Sequence, residues 1–581
     1  MPRLPSSLKP LWPLLALLAL TAEQPGRGLD LIVYGGTPQG IAAAATAASR
    51  GLSVLLVEPG PQLGGVLTQG WLATLDASLD GRGRLLGSGS LVRLLRGLEY
   101  DPSFDVGQAQ QVLDGLARQG RLTVWRNTRL ESLDERGGWL RALHLSRGGQ
   151  RWTLTPRAVI DASDRADLAA RAGALFSVGR SDGGLDGRQM AATLVFRVSG
   201  VAWRDVERRI LAERGRAHGF SDVHGRSANG MWDLAAGYRA SDPARFRLRG
   251  LNLARQDDGS LLVNALLIAG VDGTDPASER RARQDGAREA ARVVAYLRAA
   301  DPATFGGARL AGVAPELYLR ETRHLIALRR LHADAVFAGE AVPDPVAVGG
   351  YPLDGQLYDA RESTYLLGRP RPYPVGFGSL IPWGFRNLLV VSQAAGFDSA
   401  AAFSARVVPL QMVLGDAAAH ATWVALARGV DFPTLDAHYP WLRAALPRLP
   451  ETGGERRAEA DSDEQAAWLL RRGLMNLPYY LQGRYDLGGP VTAPEVLSDL
   501  EHLLYARGPS PQQVALLASL RPLARRAAER PMRAEELRDW LTALDLPAPD
   551  LPDGGLDRAT LVQVLGALAD GDRRLPETGR P

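Results

Sequence analysis

Cysteine is absent from the 581-residue chain, and Lys9 is the one lysine among 68 basic side chains. Downstream of residue 9 no side chain offers an amine or a thiol as nucleophile. That excludes Schiff-base and pyridoxal-phosphate catalysis, a phosphate loop ending in Gly-Lys-Ser/Thr, and dithiol redox chemistry. Disulfides, Cys-ligated zinc and all-Cys iron–sulfur clusters are excluded with them. A codon bias that writes arginine for lysine is the simplest cause, and the exclusions hold regardless. Charge of one sign is lacking too, since 64 acidic groups leave a net +4. No run of like charges and no arginine stripe with interleaved aromatics is present, so no nucleic-acid partner is expected. The eight histidines show no metal-ligand spacing, and no metal is expected.

Long apolar runs are missing after the amino terminus. Residues 11–20 (LWPLLALLAL) follow Arg3 and Lys9 and precede the small Thr21 and Ala22. This is a short positive region, an apolar stretch too short to span a bilayer, and a cleavage-type end. Residues 1–22 read as a secretory signal peptide, with an uncleaved anchor or a simple extension as the alternatives. The expected location is exported: periplasmic, cell-surface or extracellular. No transmembrane segment is expected beyond that one, and no twin-Arg pair is present.

What is there begins at residue 29. Residues 29–58 read LDLIVYGGTPQGIAAAATAASRGLSVLLVE. The pattern predicts a buried strand over 31–34, a glycine turn, an Ala-rich helix over 41–50 closed by Gly51, and a second strand over 54–57. Such a unit matches a dinucleotide-binding crossover. Gly35 permits the tight turn, and Gly40 lets the helix pack on the strand. The helix amino terminus offers N–H groups and a positive dipole end to a diphosphate. Glu58 can accept hydrogen bonds from ribose hydroxyls. The middle glycine of the usual pattern is Thr37, which brings a side chain to where phosphate must approach. The turn alone suits NAD or FAD; the adjoining EPGPQLGGVLTQG (58–70), with Gly64 and Gly65 for close backbone approach, favours FAD.

Further on, strands are predicted over 122–125, 140–145 and 151–154, and 158–160 runs into DASDRADLAARAG (161–173). This stretch, with YGGTPQGIAAA, resembles the FAD-dependent oxidoreductases that carry a glutathione-reductase-like, two-dinucleotide-binding flavin domain. The match continues through Gly179-Arg180, TLVFRVSGV (193–201), DGTD (272–275), ELYLRETR (316–323), YPLD (351–354), SLIP (379–382), NLLV (387–390) and RVVP (406–409). The resemblance implies an α/β fold: a Rossmann-like FAD-binding domain (parallel sheet plus β-meander), an inserted α+β substrate domain and a helical C-terminal region. The implied boundaries are 29–175 and 355–430 for the flavin domain, 176–354 for the insertion and 431–581 for the tail. The implied cofactor residues are Gly35, Gly36, Thr37, Gly40, Glu58, Gly64, Gly65, Thr128, Asp161, Ser392 and Gln393. Thr128 would meet adenine through its backbone, and the helix starting near Pro409 would aim its positive end at the flavin.

The departures from the family pattern gather near the chemistry. Ser392-Gln393 stands for Gly-Asp or Gly-Arg, GFDSAAAFSAR (396–406) lacks the usual histidine, and Asp416 and His420 interrupt the small-residue helix pattern. The expected activity is an exported FAD-dependent oxidoreductase working by hydride transfer at flavin N5 on a small organic substrate, with an unidentified electron acceptor. The departures keep open a second reading, a degenerate non-catalytic nucleotide-binding or cell-surface interaction protein. Residues 316–325 (ELYLRETRHL) alternate like a strand, placing Glu316, Tyr318, Arg320, Thr322 and His324 on one face. Arg320 is the first catalytic candidate, clamping a carboxylate or steadying reduced flavin. Tyr373 and Arg406 come next. In the tail, segments 488–504, 530–544 and 554–568 look alike, each a turn and then a helix.

Overall fold

The computed structural model describes residues 28–99, 101–213, 221–452 and 461–570. Residues 1–22, read from the sequence as a signal peptide, lie outside the described residues. A five-stranded parallel sheet anchors the molecule. Its strands are β1 (Leu31–Tyr34), β2 (Val54–Val57), β3 (Leu122–Trp125), β7 (Ala158–Asp161) and β8 (Leu388–Val390), in the order β8-β7-β1-β2-β3. β4 (Thr128–Arg136), β5 (Trp139–Arg147) and β6 (Gln150–Leu154) form the antiparallel meander between β3 and β7. The parallel strands β1, β2, β7 and β8 are buried along their whole length, which is why they read as unbroken apolar runs. β8 lies more than 200 residues after β7 and pairs with it directly, Val390 opposite Asp161. Asn387 ties the meander to this strand. Its amide accepts from Leu140 N–H at 2.8 Å and donates to Leu140 C=O at 3.0 Å, as a backbone neighbour would.

Helix α1 (Pro38–Ser49) starts three residues earlier than the apolar run suggested. Proline sits in its first turn and Thr37 caps it, accepting from Gly40 N–H at 3.2 Å. Its alanines let α4 (Val408–Arg428) lie close and parallel: a Cβ at Gly415 would stand 2.3 Å from the Gln39 carbonyl oxygen. Farther along, Asp416 meets Thr46 and His420 meets Arg50. The amino terminus of α4 therefore lies at the same end of the helix pair as the start of α1. Between them in sequence, α2 (Gly89–Gly97) packs on α4 and α3 (Pro276–Ala300) covers a six-stranded antiparallel sheet built from residues 196–313.

The alternation of 316–325 does not produce one strand. Tyr318 exchanges two backbone hydrogen bonds with Thr193, and only Arg323–Leu325 pairs further, against Phe176–Val178. Thr322, His324 and Leu325 are all fully buried, so over 322–325 both faces are enclosed.

In the tail, α5 (Ala493–Arg507), α6 (Ala534–Ala543) and α7 (Arg558–Asp570) start from the three segments of similar sequence. The residues just before them close a ring. Val491 N–H donates to Leu556 C=O at 3.1 Å, Leu556 to Met532 at 2.8 Å, and Met532 back to Val491 at 2.8 Å. Shared helix-start grammar is thus a pseudo-threefold arrangement. It packs on the rest through Arg188 to Tyr505 C=O and a stack of Tyr365 on His502, 3.7 Å apart.

Candidate active site

The parallel register aligns the carboxyl ends of the strands, and the loops that leave those ends converge on one edge of the sheet. After β1 come Gly35, Gly36, Thr37 and Gly40; after β2, Glu58; after β3, Thr128; after β7, the Asp161–Asp167 turn; after β8, Ser392 and Gln393.

Gly35 has φ +107°, and a Cβ there would stand 2.6 Å from Ser163 N. Thr37 does not obstruct the approach, contrary to the expectation from its side chain. Its hydroxyl donates to the Ala162 carbonyl at 2.8 Å while capping α1, which turns the side chain inward. Gly64 and Gly65 fold against this turn: Gly64 N–H donates to Gly36 C=O, and a Cβ at Gly65 would touch Thr37. Among the described residues, the N–H groups of Thr37, Gln39, Gly65 and Val66 have no protein acceptor. Unpaired donors at a helix start, framed by glycines, fit a diphosphate.

Glu58 accepts from Gly36 N–H at 2.7 Å and Gly60 N–H at 2.5 Å, and burial raises its pKa against those bonds. Its carboxylate thus frames the turn and remains partly open to a ribose. Beyond it lies a pocket of about 400 Å³ lined by residues including Leu63, Val124, Arg126 and Arg147, of a size for an adenine. Thr128 is fully buried; its N–H is taken by Glu58 C=O, and its hydroxyl by Arg126 C=O. Asp161, fully buried, accepts from Ser163 N–H (3.0 Å), Ser163 hydroxyl (2.6 Å) and Ala169 N–H (2.8 Å). Burial pushes its pKa up to about 7 against those donors. Its role is to brace the second turn. Ser392 is also fully buried, accepting from Ala394 N–H, with Gln393 beside it.

A set of polar groups lies near the diphosphate turn. Asp164 faces Gln39, and Glu316 stands beside Asp164 and Glu58. Burial, then repulsion from those two acids, raises the Glu316 pKa to about 7. Two residues on, the Tyr318 ring carries the Arg320 guanidinium 4.1 Å above it, and its hydroxyl accepts from Arg406 at 2.8 Å. Arg406 also donates to Asp354 C=O at 2.9 Å, while Tyr351 donates to the Asp354 carboxylate at 3.1 Å. Asp76 completes the floor. It is open to the cleft yet deep in the molecule, and burial plus Asp354 raises its pKa while Arg406 and Arg249 oppose.

Of the catalytic candidates, Arg320 and Arg406 meet in this cleft. Tyr373 does not. It has no accessible surface, and its hydroxyl pairs with Ser404 at 2.7 Å. Asp76 and Arg249 are invisible to motif reading because neither lies in a motif. The segment without the usual histidine is linked to one only indirectly, through Glu321. His324 Nε2 lies 2.9 Å from Glu321, which also accepts from Ser399, and Tyr358 reaches Ser399 at 3.1 Å. Burial lowers the His324 pKa, but Glu321 and Asp182 outweigh it and hold the imidazole above its usual value. His420, by contrast, sits beside Arg50 at the far end of α1, its pKa lowered by burial to about 4.

Solved structures resemble the chain at low identity and low TM-score. A geranylgeranyl bacteriochlorophyll reductase-like protein from Thermoplasma acidophilum is 12% identical over 71% of this chain and 82% of its own, TM-score 0.36. The p-nitrophenol 4-monooxygenase of Pseudomonas putida DLL-E4 is 12% identical over 72% and 88%, TM-score 0.35. A myxobacterial chondrochloren halogenase is 14% identical over 71% and 78%, TM-score 0.37. No curated protein matches in sequence. The family profile described as FAD dependent oxidoreductase matches residues 30–446, more than two thirds of the chain. The chain belongs to the FAD-dependent oxidoreductase family, with FAD as its cofactor.

Proposed function

We propose that the protein is an exported flavoenzyme that exchanges a hydride between flavin N5 and a small organic substrate in the cleft bordered by Tyr318, Arg406 and Asp76. The observation that carries this reading is the set of polar groups near the diphosphate turn, Asp164 and Glu316, followed two residues on by Tyr318, which meets Arg406, with Asp76 near Arg406. Bound FAD supplies two-electron chemistry at N5. The chain's part is to orient the substrate, exclude water and move a proton. Asp76 is the proton-carrying group of choice, being open to the cleft and shifted toward neutrality. Arg406 lies just before α4, so cation and helix dipole both favour negative charge at the flavin edge. Export rests on the pattern of Arg3, Lys9 and residues 11–20.

The test is anaerobic mixing of the chain from residue 23 onward with a panel of small alcohols, amines and acids. Bleaching of the visible flavin spectrum without oxygen is the expected result. Bleaching by NADPH alone, with product forming only when oxygen is admitted, would replace hydride exchange with an oxygenating role. Mass spectrometry of the secreted protein, expected to start near residue 23, checks export.

Loading of FAD carries its own pH signature. Glu316 beside Asp164 and Glu58 opposes a diphosphate when ionised. FAD affinity is therefore full below about pH 7 and falls several-fold as pH rises through the Glu316 pKa. In Glu316→Gln the dependence should flatten. An unchanged slope of FAD binding, monitored by flavin fluorescence, would place the controlling group elsewhere.

A further inference from the structure

We infer that the substrate of this cleft carries a carboxylate, held between Arg320 and Arg249; the inference rests on the oxidoreductase role proposed above. Several interior arginines elsewhere in the chain have carboxylate partners: Arg180 with Asp186 at 2.8 Å, Arg330 with Asp182 at 2.6 Å, Arg558 with Asp486 at 3.0 Å. Among the described residues, Arg320, Arg249 and Arg406 have none within ion-pair distance. Arg320 spends Nη1 on Ala191 C=O (3.1 Å) and the Thr193 hydroxyl (2.7 Å), leaving Nη2 and Nε without a protein acceptor. The Tyr318 ring fixes the plane of that fork. Arg249 comes from the turn between the strands 246–248 and 251–255, its guanidinium held only by Asn264 C=O at 3.4 Å, and among the described residues its Nε has no acceptor.

A guanidinium desolvated without a counter-ion is costly, and a planar fork with a free edge is the geometry that binds a carboxylate through two hydrogen bonds. Burial, with Arg249 and Arg406 as like-charged neighbours, drops the Arg320 pKa to about 9, a shift an incoming anion would relieve. Asp76 and Asp354 line the same space and offset part of the charge of the three arginines, which favours a singly charged carboxylate over a phosphate dianion. Arg406 is already committed to Tyr318 and Asp354 C=O, which leaves the gripping to the other two.

The experiment titrates benzoate and succinate, their amides benzamide and succinamide, and inorganic phosphate into the full chain loaded with FAD, reading the visible flavin spectrum and thermal stability. At least one carboxylate should perturb both at about millimolar concentration, with its amide silent. Arg320→Gln and Arg249→Gln should each weaken that binding roughly 10- to 100-fold while Arg428→Gln, at a surface stack on Trp441, leaves it unchanged. Arg249→Gln serves where loss of Arg320 disturbs folding. Silence of both carboxylates to about 50 mM overturns the inference, as do equal binding of the amides, preference for phosphate, or unchanged affinity in both variants. If the chain takes up no FAD, the oxidoreductase role falls, and the thermal-shift titration of the cofactor-free chain still decides whether the arginines grip a carboxylate.

Discussion

Gly40→Val is expected to give a chain that retains no FAD through desalting and unfolds at lower urea concentration, by about 3 kcal/mol or more. A Cβ at Gly40 would lie 2.0 Å from the Gly35 carbonyl oxygen and 3.0 Å from Ala162 Cβ. The first obstacle is backbone, so no rotamer change relieves it. α1 would have to lift off β1 and β7, and Gly415 of α4, closed on Gln39, bars the way. Any such displacement also moves the Thr37 and Gln39 N–H groups that would hold the diphosphate. Gly51→Ala is the matched control. Gly51 has φ +88° and no neighbour within reach of a Cβ, so that variant bears only the left-handed backbone cost, about 1 kcal/mol, and keeps its flavin. Equal flavin retention in Gly40→Val and Gly51→Ala would show that helix–strand closeness is not what forms the cradle.

The fold and the cradle were legible for a physical reason. Parallel strands buried on both faces leave unbroken apolar runs, and a diphosphate turn needs glycine at fixed spacings, so β1, β2, β7 and the positions of Gly35, Gly40 and Glu58 are written locally. The Arg406 end of the candidate site was only partly so. Arg320 and Arg406 lie in recognisable stretches, but Asp76 and Arg249 reach the cleft from a loop and from the turn between the strands 246–248 and 251–255. Alternation over 316–325 suggested one strand with a polar face. Pairing with Thr193 stops it, because strand length depends on which neighbour is available and not on the segment itself. Thr37 looked like an obstacle because sequence shows a side chain's presence, not its direction. The missing histidine is similar: Ser399 and His324, far apart in sequence, meet on Glu321.

Asp416 tests whether a departure from the family pattern became structural. It is 7% exposed, in the middle of α4, and accepts from the Thr46 hydroxyl at 2.5 Å, Ser90 N–H at 2.7 Å and the Ser90 hydroxyl at 2.7 Å. One carboxylate thus joins α4 to α1 and satisfies an otherwise unpaired N–H in the first turn of α2. Asp416→Ala should cost about 3–5 kcal/mol in urea unfolding, because a buried N–H and two hydroxyls lose their partner at once. Asp416→Asn separates charge from shape. Its oxygen can still accept from Ser90 N–H, and its amide can donate to both hydroxyls, which rotate to accept; the expected cost is about 1 kcal/mol. Burial raises the Asp416 pKa despite those bonds, so ionising it opposes folding. Wild-type stability should therefore decline as pH rises from the usual aspartate range through the raised value, a component absent in Asp416→Asn. Equal losses in the alanine and asparagine variants would mean that the charge, and not the hydrogen-bond geometry, secures α4. A loss below about 1 kcal/mol in both would remove Asp416 from the forces that set where α4 begins, and with them the placement of Arg406 at the cleft.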